Sequence, residues 1–225
     1  MENITTNVMS RHVKVRDTTF QTKFMEEVLH LFIVNSCRHN CPLCCNKFYS
    51  IDKIPIVTVE LLKSVKTVCL TGGEPFRVKP ELLGDFIIRL RYYYPNIENL
   101  YIYTSGKEVG THLAELLEVK DPFLGSVRDY VNGINFAPKD FKDWMGVYNA
   151  ICSHPLFFSK AYNKNSSNRL YVFKSMRSAS KLFLDDINKK FLEGRDLNIN
   201  VIDRVWTKTF NTPPNEHFAR LPILF

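Results

Sequence analysis

Short runs of β-branched, aromatic and other apolar residues alternate along this chain with longer segments whose apolar positions recur every three or four residues. The runs are Leu29 to Val34, Thr67 to Thr71, Asn99 to Thr104, Tyr130 to Phe136, Arg169 to Lys174 and Leu197 to Asp203, each of strand length. Between them the spacing predicts helices. Leu82, Leu83, Phe86, Ile87 and Leu90 share a face of a segment opened by Pro80 and Glu81, residues suited to a first turn. Leu113, Leu116 and Leu117 mark a second helix, and Phe141, Trp144, Met145 and Tyr148 a third. Leu184, Ile187 and Phe191 mark a fourth, ended by Gly194, and a shorter helix follows Thr58. Strands joined through helices pair in parallel with right-handed crossovers. The expected fold is therefore α/β: an incomplete (βα)6 parallel barrel, two units short of the full eight. The boundaries that follow are an N-terminal extension at 1–28, a core at 29–203 and a C-terminal closing segment at 204–225.

The closing segment has two adjacent prolines and no sustained period, so it reads as irregular chain docked by its apolar last residues. The dense group Arg91 to Pro95 reads as a helix end packed under the sheet. With 225 residues, 45% of them apolar, one sizeable core is available. The longest apolar run, Val28 to Val34, is far short of a membrane span, and the first residues lack the apolar stretch of a secretion signal. A cytoplasmic protein with reduced thiols and no membrane partner is expected. The 30 Lys and Arg against 23 Asp and Glu give +7, but they are scattered rather than gathered in a stripe, which is the pattern of a solvated surface and not of a nucleic-acid interface.

Cysteine usage changes the picture. Four of the six cysteines fall between Cys37 and Cys45, in the loop after the first strand, and in α/β folds of this type the strand-end loops carry the chemistry. Cys37, Cys41 and Cys44 form a C-x3-C-x2-C pattern. Three thiolates on a short segment suit three corners of an iron–sulfur cubane and leave one iron open, whereas structural zinc takes four ligands, usually as two separated pairs. Cys45 points away from Cys44 along the chain and reads as a buried or protective thiol; Cys69 and Cys152 read as core residues, and His39 as an exposed loop residue. After the second strand comes Leu-Thr-Gly-Gly-Glu-Pro-Phe, Leu70 to Phe76: two glycines permit close backbone approach to a ligand, and Glu74 could accept hydrogen bonds from an ammonium group.

Taken together, the three cysteines, Thr71-Gly-Gly-Glu-Pro75 and the Tyr101-Ile-Tyr-Thr-Ser-Gly106 strand end resemble the radical S-adenosylmethionine (SAM) superfamily over about Leu29 to Gly106. The resemblance implies a [4Fe-4S] cluster on Cys37, Cys41 and Cys44, with SAM chelating the open iron. It implies Gly72, Gly73 and Glu74 against the methionine part of SAM, and Thr104 ending the third strand beside it. It further implies Asn135 near the ribose and Lys174 near the SAM carboxylate. Leu43 stands where the family usually has a ring. The implied reaction is reductive cleavage of SAM to methionine and a 5'-deoxyadenosyl radical that abstracts hydrogen from substrate, supplied with single electrons by a donor such as flavodoxin or ferredoxin. The activity would class as an oxidoreductase or lyase.

A small-molecule or nucleotide-precursor substrate is the first expectation, since the Gly-Gly-Glu-Pro turn and Ala137-Pro-Lys-Asp140 resemble 7-carboxy-7-deazaguanine synthases. An activating enzyme that installs a glycyl radical on a partner protein is the alternative. A non-catalytic zinc module on Cys37, Cys41, Cys44 and Cys45 is the rival of another class, and it leaves the glycine turn unexplained.

Overall fold

The structure, a computed structural model, describes residues 27–34, 37, 53–154, 157, 167–173, 176–191, 198–204 and 215–221. In chain order its first half holds β1 (Val28–Val34), α1 (Val59–Ser64), β2 (Thr67–Gly72), α2 (Pro80–Tyr93), β3 (Asn99–Thr104) and α3 (Gly110–Glu118). A two-stranded ribbon follows, β4 (Lys120–Asp121) with β5 (Gly125–Ser126), then α4 (Val127–Tyr130), β6 (Gly133–Phe136) and α5 (Phe141–Ser153). The remainder is β7 (Asn168–Phe173), α6 (Arg177–Phe191), β8 (Ile199–Arg204) and β9 (Glu216–Arg220). Seven strands form one sheet in the order β8-β7-β6-β3-β2-β1-β9, and every neighbouring pair is parallel.

All six expected runs are strands, and the order from β1 to β8 advances in one direction without reversal. Right-handed crossovers in such an order put every helix on the same face. The core agrees. Leu29, Leu31 and Ile33, Val68 and Leu70, Leu100 and Ile102, Ile134 and Phe136, and Leu170 and Val172 are alternate residues of their strands. They join Leu83, Ile87, Leu113, Leu117, Trp144 and Ile187 of the helices in one buried cluster. Each such side chain contributes about 1.5–3 kcal/mol on burial. Within this layer the buried Trp144 of α5 stacks on Phe183 of α6, with centroids 5.6 Å apart. Among the described residues no helix is long and apolar enough to cross a membrane.

Three expectations are corrected. The sheet has a seventh strand: Glu216–Arg220 in the closing segment, expected to be irregular, pairs in parallel with β1 over five residues. Its sequence, Glu-His-Phe-Ala-Arg, shows no apolar alternation because only Ala219 enters the core. The fourth run is a strand only over Gly133–Phe136, since Val127–Tyr130 closes a helical turn. Tyr92 and Tyr93 are not under the sheet; they end α2 in solvent, 52% and 64% exposed, packed edge to face on one another.

The two ends of the sheet are built differently. At the amino ends, asparagines stitch neighbouring segments: Asn96 donates to the Leu62 and Val65 carbonyls, Asn132 accepts from Leu100 N–H, and Asn168 accepts from Ile134 N–H while donating to Asn198. These bonds satisfy buried backbone and fix the strand register. At the carboxyl ends the closures come from glycines, Glu74 and Ser105.

The sheet also curves. His30 of β1 and Tyr103 of β3 bring their rings to 5.8 Å across the intervening β2, and Tyr103 and Tyr171 of β7 stack at 5.9 Å across β6. Alternate strands of a flat sheet lie about 9.6 Å apart, so these side chains converge on a concave face. The strands they reach across present small residues there, Cys69 in β2 and Asn135 in β6, each in register with its neighbours on that face.

Candidate functional site

The root of the cysteine loop is the best-defined part of the site. β1 ends at Val34, and Cys37 follows, partly buried. The last residue of β2, Gly72, lies in register with Val34 at φ +124°, and a Cβ there would meet the Val34 carbonyl oxygen at 2.5 Å. Only glycine fits. Gly73 N–H then donates to the same Val34 carbonyl at 2.8 Å. The glycine turn is thus packed against the point from which the cysteine loop departs. The chain re-enters beside β9: Ile56 bridges to Arg220, Arg220 N–H donates to Pro55, Val57 N–H donates to Arg220, and Leu221 N–H donates to Phe32. The segment between β1 and α1 is therefore held at both of its ends by β9.

Glu74, 2% exposed, is anchored within the protein. One carboxylate oxygen caps the short 3-10 turn Pro75–Arg77 through Phe76 N–H at 3.3 Å; the other accepts from Ser105 N–H at 3.0 Å and the Ser105 hydroxyl at 3.2 Å. Burial pushes its pKa above the ordinary carboxylate value, opposed by the donors of Ser105, Thr104 and Phe76. What Glu74 does in this geometry is tie the β2 loop to the β3 loop. Thr104 is spent similarly: its hydroxyl accepts from Gly106 N–H at 3.0 Å and its carbonyl from Ala137 N–H at 2.8 Å, which draws the β6 end alongside. Gly106, at φ +101°, lies so close to α5 that a Cβ on Gly146 would meet its carbonyl oxygen at 2.2 Å. At the start of α5, Asp140 accepts from Asp143 N–H and Asp143 accepts from Lys139 N–H, so the Ala137-Pro-Lys-Asp140 segment is held as a helix cap.

The concave face below these loops is polar and aromatic. His30 stacks on Phe218 at 4.7 Å and lies 3.5 Å from Glu216. Arg169 of β7 reaches over the Tyr101 ring at 5.2 Å, and Arg204 of β8 covers Tyr171 at 5.0 Å. The Tyr103 and Tyr171 hydroxyls meet at 3.0 Å. Burial pushes the Cys69 thiol up to about 12, Arg169 pulling it down and Glu216 pushing it further up. Burial, with Cys69 and Tyr171 nearby, likewise holds the Tyr103 phenol well above its usual range. With the Cys69 thiol and the Tyr103 phenol held in their neutral forms, the arginines and Glu216 carry formal charge on this face.

Of the residues expected at the site, Cys37, Gly72, Gly73, Glu74 and Thr104 come together at adjacent carboxyl ends. Gly72 and Gly73 keep part of their backbone exposed there. Asn135 stands one strand further along, in register with Tyr103, fully buried, with neither amide atom hydrogen-bonded among the described residues. Cys41, Cys44, Cys45, His39 and Lys174 lie outside the described residues. Among those described, no three His, Cys, Asp or Glu side chains converge as a metal site. The sequence reading missed Ser105, Arg169, the Tyr103–Tyr171 pair and the His30–Glu216 contact. Their signal is polar or aromatic residues at alternate positions of otherwise apolar strands, as in Leu-His-Leu-Phe and Arg-Leu-Tyr-Val-Phe.

No protein-family model matches the chain, and no curated protein matches its sequence. Among solved structures, the crystal structure of BtrN in complex with AdoMet and 2-DOIA is similar over 65% of this chain and 56% of that one, at 17% identity and a TM-score of 0.38. The chain thus spans little more than half the length of that protein.

Proposed function

We propose that this protein is a radical SAM enzyme on an incomplete parallel barrel, with Cys37, Cys41 and Cys44 as cluster ligands and the strand-end glycines against SAM. The observation that carries the reading is the packing of Gly72 and Gly73 onto Val34. It sets a partly exposed glycine backbone beside the root of a C-x3-C-x2-C loop, at the end of the sheet where parallel α/β folds do their chemistry. Cys37, just past the end of β1, supports this reading as the first of the three thiols that would hold the cluster.

Cys37, Cys41 and Cys44 would hold a [4Fe-4S] cluster, which would supply single-electron chemistry for reductive cleavage of SAM and hydrogen abstraction from the substrate. The chain's own residues do the rest. Gly72 and Gly73 offer backbone to the methionine part, and Glu74 acts through Ser105 by holding the β2 and β3 loops at fixed separation. The aromatic concave face excludes water from the reacting carbon. The substrate is a small molecule, the donor a one-electron reductant such as flavodoxin or ferredoxin, and the compartment the reducing cytoplasm.

The test is anaerobic reconstitution with iron and sulfide, reduction by dithionite with SAM, and chromatography for 5'-deoxyadenosine. Wild type should form it, and Cys37→Ala, Cys41→Ala and Cys44→Ala should each lose both the cluster and the product. Cys45→Ala should keep both. Retention of zinc alone, with no cluster under these conditions, would sink the assignment.

A further inference from the structure

On the concave face the Asn135 amide has no hydrogen-bond partner among the described residues, and Arg169 beside it has no carboxylate partner among them. The Arg169 guanidinium is partly buried, and among the described residues no carboxylate lies at ion-pair distance from it or from Arg204; the ion pairs present involve other residues. Its neighbours are the Tyr101 ring and the Tyr171 hydroxyl. The Tyr171 hydroxyl accepts from the guanidinium, which is a permanent cation. A desolvated charge without a counter-charge is costly, as is a buried amide without partners. Asn135 is that amide, 0% exposed, and it lies directly across the ladder from Arg169 in register. An amide buried without a partner among the described residues, beside a guanidinium whose neighbours are a ring and a hydroxyl, with the exposed Arg204 near the edge, leaves donors on this face for an anion to take.

We infer that Arg169, Asn135 and Arg204 form a binding site for the substrate's oxyanion, so that the substrate is a planar compound carrying a carboxylate or phosphate. As a statement about substrate the inference rests on the radical SAM reading; as a statement about an anion site it does not. The guanidinium fork of Arg169 takes two oxygens of the anion. The Asn135 amide donates to the anion or to a polar ring atom, and the Tyr101, Tyr103 and Tyr171 rings flank the planar body.

The test uses benzoate and phenyl phosphate as probes, with benzamide as the neutral control, titrated by NMR line-broadening against the full reconstituted chain with and without saturating SAM. Saturable binding of at least one anionic probe is expected, with benzamide about tenfold weaker or more, and the stronger of the two anions separates carboxylate from phosphate. Arg169→Gln should weaken the probe about tenfold and Arg169→Lys less. Arg204→Gln, at an exposed position that does not threaten folding, should weaken it by a smaller factor. Equal affinity for benzamide, or unchanged affinity in both glutamine variants, overturns the site. Displacement of the probe by SAM also overturns the inference, because Arg169 would then serve the SAM carboxylate. Arg169-dependent probe binding in a wild type that retains zinc alone and forms no cluster would sink the radical SAM reading alone and leave the anion site standing.

Discussion

Glu74 shows how one residue can be legible in its identity and misleading in its role. The Gly-Gly-Glu-Pro sequence marks a ligand turn, and a free carboxylate suggests an ammonium partner. In the structure both oxygens are engaged by Phe76 and Ser105, a pairing no sequence pattern reveals because Ser105 lies a whole strand–helix unit away. Glu74→Ala should therefore destabilise the fold by about 1–3 kcal/mol, the cost of stranding buried donors, besides any effect on SAM affinity. The pH dependence decides which force dominates. Burial raises the pKa of Glu74 above its ordinary 4.5, against the pull of its donors. A carboxyl with a raised folded pKa binds its proton more tightly in the native state. Its stabilisation is complete below pH 4.5 and is lost as pH rises through the folded value. In urea unfolding, the stability of wild type relative to Glu74→Gln should fall as pH rises above 4.5; a rise over the same range would show that the donors outweigh desolvation.

At the scale of elements, the strands and helices that bury apolar faces were readable because burial forces a period on the sequence. Val68 and Leu70, Leu100 and Ile102, Leu113 and Leu117 all show it, and all are core. β9 was not readable, since Glu216, Phe218 and Arg220 face the polar concave side and Ala219 alone packs inward. The cysteines and glycines of the candidate site were legible as motifs and Asn135 as a strand-end polar residue, whereas Arg169 was not, because its meaning depends on pairing between β6 and β7. Yet β9 covers the edge of β1 and fastens Ile56 and Val57 behind the cysteine loop. Ala219→Asp places a charge at a position 1% exposed, a change expected to cost more than about 3 kcal/mol. If β9 holds the loop, iron content after reconstitution should fall in this variant before helicity does, as followed by circular dichroism during mild urea titration. Loss of both in a single step would make β9 part of the global fold and not a separate fastening.

Curvature is the property of the whole molecule on which the site depends, and it can be measured. β8 and β9 are the two edges of the sheet, six strand steps apart, which is about 29 Å if the sheet were flat. At that distance two exposed charges are screened from one another by ordinary salt, whose Debye length is about 8 Å. Even so, Glu216 of β9 is held below its ordinary 4.5 first by its hydrogen bond with His30, against burial, and then by the charges of His30 and of Arg204, which ends β8. An influence of Arg204 on Glu216 agrees with the curvature that the His30, Tyr103 and Tyr171 rings show across that face. Because the folded pKa of Glu216 is depressed, the stability it confers is present above pH 4.5 and lost as pH falls through the folded value; Glu216→Gln should flatten that acid limb. A double-mutant cycle with Arg204→Gln should then give a coupling of about 0.2–1 kcal/mol near neutral pH, shrinking toward zero in 1 M salt. A coupling of zero at low salt would place the two edges apart, open the concave face to solvent, and remove the enclosure that both a radical reaction and a buried anion site require.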